Sequence, residues 1–183
     1  MALVVLLKGV NIGGHRTFRP TTLAKALRRL GAINVGAAGT FVIRRPISRA
    51  QLRAEIQRRL PFTTEIVICD GRDIRDLVSR KPFVGQPSGR AVVQFVSVLT
   101  KRRRPRAGLP LDLPATGRWC VRILAQQHRF VLGLYRREMQ AIKYLGRLEK
   151  IIGVPMTARS WTTIQSIARI LQDQADHPLE AET

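Results

Sequence analysis

The sequence has few aromatic residues, few acids and no long apolar run. Aromatic residues make up only 5% of its 183 residues, so most rings are needed in a core and few remain to stack on nucleic-acid bases. The longest aliphatic stretch, Ala2–Leu7, is far shorter than the roughly 20 residues that cross a bilayer. This stretch predicts a strand buried on both faces or in a sheet centre, and we expect no signal segment and no membrane partner.

The chain also has only two cysteines, Cys69 and Cys120. Both stand in apolar, strand-like segments, where a thiol acts as a small hydrophobic side chain in a reducing compartment. The spacing is not that of a disulfide framework, and we therefore expect a cytoplasmic protein. Because 45% of the residues are hydrophobic, the chain has enough apolar material for a real core.

Against this background, the chain has a large surplus of arginine. There are 32 basic and 12 acidic residues, a net charge of +20, and 26 of the basic residues are arginine. The planar guanidinium suits phosphate and carboxylate recognition, which favours an anionic partner such as nucleic acid. The surplus is spread over both halves of the chain, however, and this diffuse distribution slightly favours the alternative that compositional bias placed arginine at ordinary solvated surface positions.

The periodicity of the first half predicts the order β-α-β-β-α-β. Strands are expected at 2–8, 33–37, 40–45 and 64–69, and helices at 21–30 and 48–60. The first helix has a basic outer face and Gly31 as its stop, and Ser48 with Gln51 forms a capping box for the second. This order is typical of a ferredoxin-like domain. A connecting helix capped by Asp70 should run to about Arg80.

The second half predicts a similar but irregular plan. A strand at 90–99 is followed by a proline-rich segment, 100–117, that is expected to be exposed and mostly irregular. Two strands, a helix at 140–152 and a short extended piece at 154–158 follow, and Ser160 begins a last helix that reaches about Leu171. The prediction is thus an α+β protein with two ferredoxin-like halves in tandem, 1–80 and 81–172, and an acidic, frayed tail, 173–183.

Three motifs then resemble one family. Leu7-Lys8-Gly9-Val10-Asn11-Ile12-Gly13-Gly14 is similar to the amino-terminal motif Arg-Gly-Ile-Asn-Val-Gly-Gly of the domain-of-unknown-function 1697 family, Lys81-Pro82-Phe83 to its Asn-Pro-Phe, and the segment 153–161 to its Gly-Val-Pro-Ala-Thr-Thr-Arg-Asn-Trp. The resemblance spans roughly residues 1–172. It implies tandem ferredoxin-like domains of bacterial type and no established activity.

The chain departs from the family pattern at three places. Ala37-Ala38-Gly39-Thr40 replaces Gln-Ser-Gly-Asn, Tyr135-Arg136-Arg137-Glu138-Met139 replaces a Pro-Asn-Gly-style loop followed by Gly-Arg-Ser-Lys-Leu, and the proline-rich basic segment replaces a helix. If the family shares a polar site, this member has lost part of it.

Two segments are candidates for anion binding. In the first, glycines free the backbone to approach a ligand and neighbouring side chains supply donors; its residues are Lys8, Asn11, Gly13, Gly14, His15 and Arg16. In the second, Arg159 and Ser160 precede the last helix, whose first amides attract anions. The structural alternatives are a tight turn with Asn11 bonding its own backbone, and an ordinary cap with Trp161 in the core.

A third candidate is the densest positive charge in the chain, which could hold a polyanion without reading sequence. Its residues are Lys101, Arg102, Arg103, Arg104 and Arg106. An unspecific, solvated loop is the alternative. The histidines lie far apart, with no Cys or carboxylate at metal-ligand spacing, and no nucleophile has an evident base. We therefore predict no metal and no cofactor, and catalytic residues stay unknown.

Three functions remain open at this level. The first is non-catalytic binding of nucleic acid or another polyanion. The second is an enzyme or a small-molecule-binding protein that takes a phosphate-bearing ligand at the glycine-rich loop or in a cleft between the halves. The third is a homo-oligomeric structural protein, such as a homodimer, formed through exposed sheet edges.

Overall fold

The fold was obtained as a computed structural model, which describes residues 1–11, 18–103 and 108–176, with side chains up to 173. The chain divides into two compact units. The first comprises residues 1–79 and the chain from 163 onward, and the second comprises residues 80–162. None of the helices in these described ranges is both long and apolar enough to cross a membrane.

The first unit contains a four-stranded antiparallel sheet in the order β2-β3-β1-β4. Its strands are β1 (Leu3–Leu7), β2 (Ala32–Asn34), β3 (Thr40–Ile43) and β4 (Ile66–Asp70). Its helices are α1 (Pro20–Ala26), α2 (Arg49–Gln57), α3 (Gly71–Ser79) and α5 (Trp161–Asp176), the last of which begins two residues before the division. The predicted order of the first six elements is confirmed, and β1 is a central strand with all five residues buried.

Helices α1 and α2 cover one face of this sheet. Leu23 and Leu27 from the first helical segment, and Leu52 and Ile56 from α2, share a hydrophobic core with the β1 residues Leu3, Val5 and Leu7. The period of three to four residues along each helix places one apolar side on the sheet. The other side of both helices consequently faces solvent.

Two helix boundaries in this unit follow local chemistry. The α-helical part of the first helix ends at Ala26, and Arg28–Leu30 continue as a 3₁₀ turn up to Gly31, whose φ of 62° is left-handed. The predicted helix at 21–30 is therefore confirmed, with its last three residues in a 3₁₀ turn rather than in the α-helix. Ser48 and Gln51 form the predicted capping box, in which the backbone N–H of Gln51 donates to the Ser48 hydroxyl over 3.2 Å.

Helix α5 extends further than predicted. It continues to Asp176, so the first acidic residues of the predicted tail, Asp173 and Asp176, belong to a helix rather than to a frayed end. Ile164, Ile167, Ala168 and Leu171 form its buried side. A Cβ at Gly71, the first residue of α3, would lie 2.7 Å from the Leu171 side chain, which shows how closely the two helices approach.

The second unit contains a five-stranded antiparallel sheet in the order β6-β7-β8-β5-β9. Its strands are β5 (Val92–Leu99), β6 (Leu111–Leu113), β7 (Val121–Gln127), β8 (Phe130–Arg136) and β9 (Met156–Ser160). Helix α4 (Met139–Ile152) packs on one face through Ala141, Leu148 and Ile152. Gly153 ends it in a left-handed conformation, as predicted.

The segment 100–117, which the sequence predicts to be mostly irregular, contains one short strand in its described residues. Leu111–Leu113 form a short edge strand, β6, in register with β7, Leu111 opposite Ile123 and Leu113 opposite Val121. Prolines 110 and 114 flank it, and an edge strand tolerates the missing N–H of proline because one side of the strand needs no partner. The extended piece predicted at 154–158 is likewise a full strand, β9, which pairs with β5.

Candidate anion-binding site

The glycine-rich loop after β1 is held by Asn11. Its side-chain amide donates to the Ala37 carbonyl over 2.8 Å, and its carboxamide oxygen accepts from the Phe18 amide over 2.9 Å. With a φ of 56°, Asn11 occupies the left-handed region that asparagine tolerates better than most residues. Asn11 therefore fastens its loop to the turn before β3 and serves a structural role, through partners more distant in sequence than the expected local turn.

The other predicted residues of this loop divide into two groups. Lys8 forms a salt bridge with Glu65 at 3.4 Å, and its carbonyl accepts from the Thr64 hydroxyl. Gly13, Gly14, His15 and Arg16 lie outside the described residues, so the loop as a phosphate cradle stays a prediction. What the structure describes of it is a segment tied to the sheet on both sides.

Arg159 and Ser160 lie on β9 in the second unit. Arg159 is 8% exposed, and its guanidinium donates to the Thr157 hydroxyl and to the Ala158 carbonyl over 2.9 and 2.8 Å. Burial lowers the pKa of Arg159 to about 10, so the group keeps its charge at neutral pH. The Ser160 hydroxyl lies 2.9 Å from that of Thr162. Arg159 is thus a residue of the interior with little access to a solvent-borne anion.

The predicted polyanion loop is only partly described. Lys101 and Arg102 are exposed, whereas Arg103 donates to the Gly153 carbonyl over 3.0 Å at the carboxyl end of α4. A cation there is favoured by the helix dipole. Arg104 and Arg106 lie outside the described residues. Within the described part, one of three basic residues is therefore used to hold the fold.

Several arginines of the second unit are similarly engaged. Arg122 forms a bidentate salt bridge with Asp112, both bonds 2.6 Å long, and its guanidinium lies 5.0 Å from the centre of the Trp119 ring. Arg136 lies 4.3 Å from the same ring and donates to the Trp119 carbonyl. The hydrogen bond from Arg122 holds the pKa of Asp112 below its usual value although partial burial opposes this. This cluster is satisfied internally.

The first unit, by contrast, presents basic residues on the solvent side of α1 and α2. Residues 20–59 contain nine basic residues and one acid, Glu55. We call five exposed members of this set the basic face: Lys25 on α1, Arg28 and Arg29 on the 3₁₀ turn, Arg53 on α2 and Arg58 directly after α2. Among the described residues, no carboxylate pairs with the first four, and Arg58 pairs with Glu55. Arg49 and Arg59 are exposed as well but pair with Asp70 and Glu55 and are not counted in this face.

An open groove of about 600 Å³ lies in this surface. Leu27, Leu30 and Ile47 supply apolar lining, while Arg29, Arg58 and Arg59 supply charge. Glu55 lies between the last two arginines and pairs with both. Burial raises the pKa of Glu55, but the hydrogen bond from Arg59 and the nearby positive charges outweigh it, and the pKa falls below its usual value.

The sequence pattern could have indicated this surface only in part. The basic outer side of the first helix follows from the spacing of Lys25, Arg28 and Arg29, but for α2 the sequence indicates only the cap formed by Ser48 and Gln51. That the two helices share one side of the sheet depends on the β-α-β-β-α-β arrangement of the unit. For metals, the described ranges hold no group of three His, Cys, Asp or Glu residues placed to bind an ion.

These features define a mixed α+β protein with two antiparallel sheets and, in the described residues, five α-helices. Residues 1–110, more than half of the chain, match the family model described as protein of unknown function (DUF1697), and the chain belongs to this family. The resemblance seen in the sequence motifs is thereby confirmed. No curated protein matches the sequence.

A solved structure supports the fold. The conserved bacterial protein SP0830 from Streptococcus pneumoniae is similar over 93% of this chain and 98% of its own, with a TM-score of 0.55. Since the two sequences are 16% identical, this likeness concerns the fold alone.

Proposed function

We propose that this protein binds an anionic partner, without catalysis, through the basic face of its first unit. The observation that carries the proposal is the charge of residues 20–59, nine basic residues against one acid, in a segment whose helices α1 and α2 pack their apolar sides on the sheet. A positive surface of this kind attracts polyanions at long range and holds them by charge-assisted hydrogen bonds.

The exposure of the charged groups supports the same site over the predicted polyanion loop. Lys25, Arg28, Arg29 and Arg53 are exposed and lack a carboxylate partner among the described residues. An incoming anion therefore has no internal ion pair to displace at these four positions. In the loop, Arg103 already donates to a helix end.

The test is binding of two polyanions, random-sequence DNA and polyglutamate, at about 50 and 200 mM salt. The variant Lys25→Gln, Arg28→Gln, Arg29→Gln, Arg53→Gln should bind at least about tenfold more weakly at the lower salt, and its salt slope for DNA should fall by about three or four.

The matched control removes four exposed basic residues of the second unit: Arg137→Gln, Lys143→Gln, Arg147→Gln and Lys150→Gln. Its net charge equals that of the first variant, so an equal loss of affinity in both would mean that only overall charge matters. The variant Lys101→Gln, Arg102→Gln measures the predicted loop separately. If wild-type protein binds neither polyanion at about 50 mM salt, the proposed function is wrong.

The finer descriptions of the fold and location are proposals as well. The order β2-β3-β1-β4 with two helices on one face supports a ferredoxin-like first unit, and the second unit would be an irregular version with one helix between β8 and β9. Two buried cysteines that form no disulfide among the described residues support a reducing compartment such as the cytoplasm. The similar solved structure comes from a bacterium, which supports a bacterial origin for this chain.

A further inference from the structure

The groove in the basic face has an apolar lining that a purely charged partner would not use. Leu27 is 2% exposed and belongs to the core of the first unit, and Leu30 and Ile47 are partly buried against that core. These three side chains line the groove, whose volume is about 600 Å³. This volume lies in the range of pockets that take apolar ligand groups. The groove can thus take an apolar group in addition to an anion.

The lining also discriminates between classes of polyanion. No aromatic side chain lines the groove, so it offers no ring on which a nucleic-acid base could stack. A duplex would present phosphates and sugars to the apolar residues and would leave Ile47 and Leu30 without a matching group. A peptide combines carboxylates with apolar side chains on one backbone and matches both parts of the surface.

We infer that the partner of the basic face is an acidic peptide segment with an apolar anchor residue, which enters the groove between the 3₁₀ turn and α2. This inference rests on the proposed function, because it identifies the partner of the same surface. The anchor packs on Leu30 and Ile47, while flanking carboxylates pair with Arg29 and Arg58. Arginine's fork suits carboxylate as well as phosphate, so the charge pattern is consistent with this partner.

Glu55 sets how strongly the groove attracts carboxylates. It pairs with Arg58 and Arg59, so a carboxylate that approaches these two arginines must compete with it and is repelled by it. The first turn of α2 contributes no acid, and Glu55 is the single acid of residues 20–59. Removing its charge should therefore strengthen binding of acidic segments.

The experiment uses two fluorescently labelled acidic octapeptides that differ at their two central positions. One has leucine and phenylalanine between aspartates and glutamates, and the other has two serines. Wild-type protein should bind the anchored peptide about tenfold more tightly, the ratio expected when one apolar side chain is buried. The substitution Ile47→Ala should reduce this preference to about threefold or less, while Glu55→Gln should tighten binding of both peptides.

The outcomes separate the two claims. If both peptides bind and the affinities are equal in wild type, the anchor inference is wrong and the proposed function stands. If DNA binds more tightly than the anchored peptide at equal charge and Ile47→Ala leaves every affinity unchanged, the partner is nucleic acid and the inference is wrong. If none of the three ligands binds, the proposed function itself is wrong. Unchanged circular dichroism and urea unfolding of Ile47→Ala exclude loss of the fold as the cause.

Discussion

Arginine is used in two ways in this protein, engaged in internal contacts or exposed to solvent, and the clearest examples of each lie in different units. In the second unit, Arg122 and Arg136 stack on Trp119, Arg122 pairs with Asp112, and Arg103 donates to a carbonyl at the end of α4. In the first unit, the basic face consists of exposed side chains on α1, the 3₁₀ turn, α2 and the residue after it, and Arg58 is its one member with an acidic partner in the described residues.

The difference shows that a surplus of one residue type need not have one explanation. The planar guanidinium suits a stacked, hydrogen-bonded position inside a sheet surface as well as an exposed anion site. The amino-acid composition does not distinguish these two kinds of arginine. Mutational effects should separate them, because engaged arginines contribute to stability and exposed arginines contribute to binding.

The largest effect on stability is expected for Arg136→Ala. This substitution removes the stacking on Trp119 at 4.3 Å and the hydrogen bond to its carbonyl, and we expect the free energy of unfolding in urea to fall by about 1–2 kcal/mol. Arg136→Lys keeps the charge but loses the planar fork, and it should recover less than half of the loss. A stability equal to wild type for Arg136→Ala would contradict a structural role.

A somewhat smaller effect is expected for Arg103→Ala. The substitution removes the bond to the Gly153 carbonyl and a positive charge near the end of α4, which should lower the free energy of unfolding by about 1 kcal/mol. Arg102 is the matched control, since it is adjacent and exposed, and Arg102→Ala should stay within about 0.5 kcal/mol of wild type. If Arg103→Ala and Arg102→Ala lowered the free energy of unfolding equally, the bond from Arg103 to Gly153 would not be what stabilises the fold.

The pair Arg122 and Asp112 should make stability depend on pH in the acid range. The hydrogen bond from Arg122 holds the pKa of the folded Asp112 below its usual value of 3.8. The contribution of this carboxylate to stability is therefore fully present above that value and is lost as the pH falls through the lower, folded pKa.

The substitution Asp112→Asn tests this dependence. Because both side chains are about one third exposed, the variant should be less stable at neutral pH by no more than about 1 kcal/mol. The difference from wild type, measured by urea unfolding at a series of pH values, should shrink below pH 3.8. A difference that stays constant into this range would show that the charge of Asp112 is not what stabilises the fold.

The smallest effect on stability is expected on the basic face. Arg28→Gln with Arg29→Gln should change the free energy of unfolding by less than about 0.5 kcal/mol, since neither side chain has a carboxylate partner among the described residues. The same variant should weaken binding of polyglutamate. A stability loss above about 1 kcal/mol would show that Arg28 and Arg29 hold the fold together, as Arg103 and Arg136 are expected to do.

Local patterns predicted several helix boundaries in both units. Ser48 with Gln51 fixed the start of α2, and Gly31 and Gly153 marked helix ends because their left-handed conformations suit glycine. The edge strand Leu111–Leu113 could not be predicted in the same way. Its three residues between prolines carry too little local signal, and it forms because β7 offers an unpaired edge.

The predicted site residues show the same limit. The sequence indicates Asn11 and Arg159 as anion donors, but both side chains make internal hydrogen bonds. Asn11 bonds to Phe18 and Ala37, and Arg159 bonds to Thr157 and Ala158. A donor's chemistry is visible in the sequence. Whether the fold already uses that donor depends on neighbours up to 26 positions away for Asn11.

The sequence by itself therefore determined the family, the apolar sides of the helices and the number of arginines, because these depend on residue types and short spacings. Only the tertiary structure decided which arginines are engaged and which are exposed, and that α1 and α2 place their charges on one side of one sheet. The physical reason is that a side chain's availability depends on contacts across the fold, such as Arg136 on Trp119 or Glu55 between Arg58 and Arg59. Composition records the charge but not its partner.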